Sequence, residues 1–118
     1  MGTADTNWDT GIPNDAIYFH KDDGGTTCNF VIRQDGTATT TESVHTFVAA
    51  TDVTLEWYFD GTNITAYVNG ALAATVAVSN ANFPNDEYLT PTIDFTTGSG
   101  DARTCQIDWI RAIQIQTT

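Results

Sequence analysis

A chain of 118 residues with 15 acidic and four basic residues carries a formal net charge of −11 at pH 7 and is long enough for one domain, with no room for a second. That charge repels polyanions, so nucleic acid and anionic membrane surfaces are excluded as partners, while solubility, counter-cations or a basic protein partner are favoured. Thr, Val, Ile and scattered aromatics are plentiful, Leu and Lys are scarce, and Glu occurs only at Glu42, Glu56 and Glu87, a mixture that suits half-buried strands and disfavours helices.

In chain order, residues 15–20 alternate, with Ile17 and Phe19 on one side, and Asp22-Asp23-Gly24-Gly25 makes a turn. Cys28, Phe30 and Ile32 share one face of a strand that ends at Asp35-Gly36. Residues 39–44 are β-prone but polar, which predicts an edge or exposed strand. The clearest pattern follows. Val53, Leu55, Trp57 and Phe59 alternate with Thr54, Glu56, Tyr58 and Asp60, which predicts an apolar face turned inward and a polar face turned outward. After the turn at Asp60-Gly61-Thr62-Asn63, Ile64, Ala66 and Val68 continue the inward face. Asn69-Gly70 predicts a type I′ hairpin turn, because both central residues need positive φ. Leu72, Ala74, Val76 and Val78 are expected inward on the next strand, so residues 53–78 read as a three-stranded antiparallel meander.

Residues 79–86 are rich in Asn, contain Pro84 and read as loop. Leu89, Pro91, Ile93 and Phe95 share one face of a further strand, which Pro91 makes an edge or a bulge because it cannot donate to the ladder. Thr97-Gly98-Ser99-Gly100-Asp101 is a turn. In the last strand Cys105, Ile107, Trp109, Ile113 and Ile115 share a face, interrupted by Arg111, with Ile110 and Ala112 on the other side. About seven or eight such strands, with no helix, predict an antiparallel two-sheet β-sandwich or a barrel. No apolar run approaches transmembrane length, and the N-terminus has no basic region followed by an apolar core, so neither membrane insertion nor a signal peptide is expected.

The cysteines, Cys28 and Cys105, have no metal-type spacing, and both fall in predicted strands on the apolar face. Two readings stay open: buried free thiols, or a disulfide joining the two strands. Neither His20 nor His45 has a nucleophile context, and neither is assigned a function. Tyr58 and Tyr67 point outward on adjacent strands with Thr54, Thr65 and Asn69 nearby; they form either a sugar-stacking platform or a cross-strand pair that stabilises the sheet. Trp8, in a polar loop, is a lid over the sandwich or a contact anchor.

The run Trp57-Tyr58-Phe59-Asp60-Gly61-Thr62-Asn63-Ile64-Thr65-Ala66-Tyr67-Val68-Asn69-Gly70-Ala71-Leu72-Ala73-Ala74-Thr75 resembles the central hairpins of concanavalin A-like, laminin G-like jelly rolls. A wider resemblance takes in Asn14-Asp15-Ala16-Ile17-Tyr18-Phe19, Arg33-Gln34-Asp35-Gly36-Thr37, those hairpins, and Ala102-Arg103-Thr104-Cys105-Gln106-Ile107-Asp108-Trp109-Ile110. In that order they look like a β-sandwich of tailed-bacteriophage virion proteins, of the head-decoration or fibre type. The resemblance implies one jelly-roll domain over residues 1–118 and a non-catalytic structural role in the virion, assembled in the host cytoplasm. It implies contacts with the major capsid protein or other virion proteins, and a homo-oligomer, by analogy a trimer. Such proteins carry at least one more strand before the segment matching residues 14–19. Either this is a compact version, or the upstream strand is absent from the chain and a neighbouring subunit supplies it.

Related jelly rolls include glycosidases, whose retaining chemistry needs two carboxylates about 5–5.5 Å apart. Glu56 and Asp60 share the outward face of one strand but sit roughly 13 Å apart at about 3.3 Å per residue, and Asp94 and Asp108 are isolated, so no enzyme is expected. Many jelly rolls bind calcium, and Asp22-Asp23 and Asp60–Asn63 offer the hard oxygens it takes; with no calcium-loop spacing they read as turn formers, and no cofactor or metal is expected. The alternative function is a lectin or laminin G-like module that binds cell-surface glycans through Tyr58, Tyr67 and Asn69.

Overall fold

A computed structural model describes residues 12–22, 24–93 and 104–114. Among them the fold is all-β: β1 (Ala16–Lys21), β2 (Thr27–Gln34), β3 (Thr37–Thr46), β4 (Leu55–Phe59), β5 (Asn63–Val68) and β6 (Ala71–Ala77), with no helix. The strands form two three-stranded antiparallel sheets in the orders β1-β2-β3 and β4-β5-β6. Each sheet is a plain meander, because each pair of neighbours is joined by a short turn. Asp35-Gly36 (φ 49° and 78°) and Asn69-Gly70 (φ 51° and 78°) both put two successive residues in the left-handed region, the geometry of a two-residue hairpin whose twist matches its strands. Asn69 Oδ1 also accepts from the Thr54 amide at 2.9 Å, tying this turn back to the start of β4. At the β4–β5 turn, Asp60 Oδ1 accepts from the amides of Thr62 and Asn63, both at 2.7 Å.

Alternation builds the core. Ile17, Phe30 and Ile32 of the first sheet and Ile64, Ala66, Ala74 and Val76 of the second lie in one buried cluster, joined by Phe83 from the segment after β6. A smaller cluster, Ala16, Tyr18 and Val31, lies on the opposite face of the first sheet. The sheets meet along β3 and β6. There Thr39 Oγ1 donates to Asn80 Oδ1 at 3.1 Å, Asn82 Nδ2 donates to Thr39 Oγ1 at 2.9 Å, and the Asn82 amide donates to Asn80 Oδ1 at 2.9 Å. Gln34 Nε2 donates to Asn85 and Asp86, linking the end of β2 to the same segment.

The polar strand expected over 39–44 is β3, at the end of its sheet as its composition predicts. Its register against β2 shifts between Cys28 and Phe30, where Ser43 adopts φ 55° and its amide donates to Asn29 Oδ1 at 2.9 Å. Such bulges twist an edge away from further pairing.

Three expectations are corrected. First, Leu72 does not face inward. The β5–β6 register shifts between Ala66 and Tyr67, so Ala73 is an extra residue in β6 and Leu72 falls opposite outward-facing Tyr67, 66% exposed. One inserted residue moves every side chain beyond it to the other face. Second, the strand built on Leu89, Pro91 and Ile93 is absent: only an isolated bridge forms, at Thr90, and Leu89 alone packs on the core. Pro91 has no amide to carry a ladder past that point. Phe95 lies outside the described residues. Third, the last strand does not form over 104–114; this segment is exposed throughout, Ile107, Trp109, Ile110 and Ile113 included. Alternation marks a segment that can pair, but a strand exists only where an edge accepts it. Ile115 lies outside the described residues.

Candidate functional site

The outward face of the second sheet carries the residues singled out as a platform. Backbone register sets them in two cross-strand rows. Tyr58, Thr65 and Thr75 face one another across β4, β5 and β6, and Glu56, Tyr67 and Leu72 form the next row. Tyr58 and Tyr67 are therefore diagonal neighbours, about 7–8 Å apart at the backbone. Tyr58 is 54% exposed and Tyr67 half-buried. Leu72 was missed because an even alternation through residues 71–78 gives no sign of the bulge; its only trace is the run of small residues Ala71, Ala73 and Ala74, which offers little packing to hold one register. The resulting patch has an aromatic and an aliphatic surface bordered by hydroxyls and one carboxylate.

Asn69 sits exposed beside this patch in the hairpin turn; its Oδ1 accepts from the Thr54 amide, leaving the amide NH2 and the second lone pair of Oδ1 for a ligand. Thr54 is half-buried at the start of β4. Of the acids weighed for catalysis, Glu56 is exposed opposite Tyr67, and Asp60 is occupied by the turn, whose amide donors from Asn63 and Thr62 hold its carboxyl below the usual carboxylate range. Asp108 is exposed in the 104–114 segment, while Asp94 lies outside the described residues.

No protein family, curated protein or solved structure matches this chain.

The turn oxygens considered for calcium do not gather. Asp60 serves its own loop, Asp22 accepts from the Gly25 amide through its backbone oxygen at 3.2 Å, and Asp23 lies outside the described residues. Among the described residues no three His, Cys, Asp or Glu side chains come together as a metal site. His20 Nε2 lies 3.7 Å from Asp22 Oδ1 at the surface, and His45 meets Phe47 edge-on at 5.3 Å. Trp8 lies outside the described residues. Cys28 and Cys105 are both free thiols, the first buried in β2 and the second exposed. Burial raises the Cys28 pKa from 9.0 to about 11, which keeps it protonated and unreactive at neutral pH. Burial likewise raises the Tyr18 pKa, opposed by its hydrogen bond with Arg33. Among the described residues no helix is long and apolar enough to cross a membrane.

A second surface lies between the sheets on the side of β1 and β4. It is a groove of about 400 Å³ lined by Ile17, Trp57, Phe59, Phe83 and Leu89, with Glu87 at its rim. Phe59 is 43% exposed there and meets the Phe83 ring at 5.5 Å.

Proposed function

We propose that the chain is a non-catalytic structural module of a bacteriophage virion, a capsid decoration or fibre component that stabilises the particle or adheres to a surface. Its domain is read as a jelly roll of the concanavalin A-like type, with the two meanders as its central part. Support comes from the ordered motifs in the sequence together with a two-sheet, all-β body. The observation that carries the reading is the outward face of the second sheet: Tyr58, Tyr67 and Leu72 form a contact surface, while the nearby acids are spent on a turn or stand alone. Such a surface suits docking on neighbouring subunits, with the major capsid protein as partner, the virion as location and a homo-oligomer as the working state. Mass spectrometry of purified particles tests this. The chain is expected among the virion proteins, encoded beside capsid or tail genes; its absence from particles, with unrelated gene neighbours, would refute it.

The exposed aromatic diagonal supports a second reading, a glycan-binding module, since a sugar face stacks on Tyr58 with Thr65 and Thr75 as hydrogen-bond partners. A glycan array with protection of Tyr58 from modification supports that reading, and a blank array with unchanged tyrosine reactivity rejects it.

A further inference from the structure

The β4 edge and the 104–114 segment are complementary. The Asn69 amide donates to the Thr54 carbonyl and the Asp60 amide to the Asn63 carbonyl, so the ladder bonds between β4 and β5 fall on residues 54, 56, 58 and 60. The amides and carbonyls of Leu55, Trp57 and Phe59 therefore face away from β5, and among the described residues no strand pairs with them. Their side chains border the groove between the sheets or lie half-buried beside it. This edge thus offers three residues that need both a backbone partner and an apolar cover. The segment 104–114 needs the same: by alternation Cys105, Ile107 and Trp109 would share one side of a strand before Arg111 interrupts, and Trp109 is 63% exposed with no strand beside it among the described residues. Three same-face residues match three. In an antiparallel pairing Cys105 falls opposite Phe59, Ile107 opposite Trp57 and Trp109 opposite Leu55, with Arg111 beyond the strand end.

We infer that a second copy of this chain donates residues 104–114 as a strand to the free β4 edge, closing the groove in trans. Among its described residues the single chain leaves both halves of the pairing open, and exchange between copies satisfies both at once. Charge does not oppose it: the donated stretch 104–114 holds Arg111 against Asp108 and carries no net charge, so it meets the strongly acidic remainder of another copy without like-charge repulsion. The pairing stands whether or not the protein belongs to a virion.

The test uses the full chain. Light scattering during gel filtration should give a multiple of the 12.8 kDa chain mass, and Trp109→Asp with Ile107→Asp should return it to the single-chain mass with a β-type circular dichroism spectrum that loses no more than the donated strand's share. Separately, Phe59→Cys under mild oxidation should form a reducible disulfide between the introduced thiol of one chain and Cys105 of another. A wild type that stays monomeric, an assembly unmoved by the double substitution, or a disulfide from the introduced thiol to Cys105 of its own chain would overturn the inference.

Discussion

Where β3 meets β6, polar side chains knit the two sheets together: Thr39, Asn80 and Asn82 share three hydrogen bonds, and Gln34 reaches Asn85 and Asp86 beyond them. Along β4 the same two layers end on Leu55, Trp57 and Phe59, apolar side chains whose outer backbone groups meet no strand among the described residues, with a groove behind them. The difference teaches that alternation supplies layers, whereas closure depends on what lies across each gap. The short polar side chains of Thr39, Asn80 and Asn82 bridge one side within the chain, and on the other side no strand lies across the gap among the described residues.

The comparison breaks most sharply in the shared core. Ile64 is fully buried between the layers, so Ile64→Ala should cost about 3 kcal/mol in urea unfolding of the dilute protein, whereas Phe59→Ala on the open side should cost about 1 kcal/mol. Equal losses would mean that the β4 side is closed. The thiols give a second contrast. A pKa raised from 9.0 to about 11 lowers the thiolate fraction of Cys28 about 100-fold at neutral pH, so Cys28 should alkylate at least that much more slowly in the native protein than in urea, whereas Cys105, exposed in the dilute single chain, is open to the reagent. Because the folded state favours the neutral thiol, its contribution to stability is complete below pH 9 and is lost as the pH rises towards 11.

Asn80→Ala removes the acceptor for both Thr39 and the Asn82 amide and should cost about 1–2 kcal/mol in the same urea measurement. Smallest is the turn. Asn69→Ala should cost about 1 kcal/mol, since Ala tolerates φ 51° poorly and cannot accept from Thr54, while Asn69→Gly keeps the conformation and should cost less.

How much of this was legible in the sequence follows from the same physics. The meander over 53–78 was readable because its apolar residues recur every second position and its turns carry Asp-Gly and Asn-Gly, signals that are local. The edge character of β3 was readable from its Thr-rich, polar composition. Leu72 was not, because a bulge among alanines leaves no side-chain pattern. The strand expected over 105–115 alternates as β4 does until Arg111, and the exposure of residues 104–114 shows that alternation records the capacity to pair without naming the partner. For the platform, Tyr58 and Tyr67 were found by parity alone, whereas the engagement of Asn69 depends on a contact between the start of β4 and its hairpin turn that the sequence does not display.

The account rests on two sheets sharing one interior. Nuclear Overhauser contacts between methyl groups test it most directly: Ile17 or Ile32 of the first sheet should show cross-peaks to Ile64 or Val76 of the second. If these methyls contact only neighbours within their own sheet, the two meanders do not close on each other and the account is wrong.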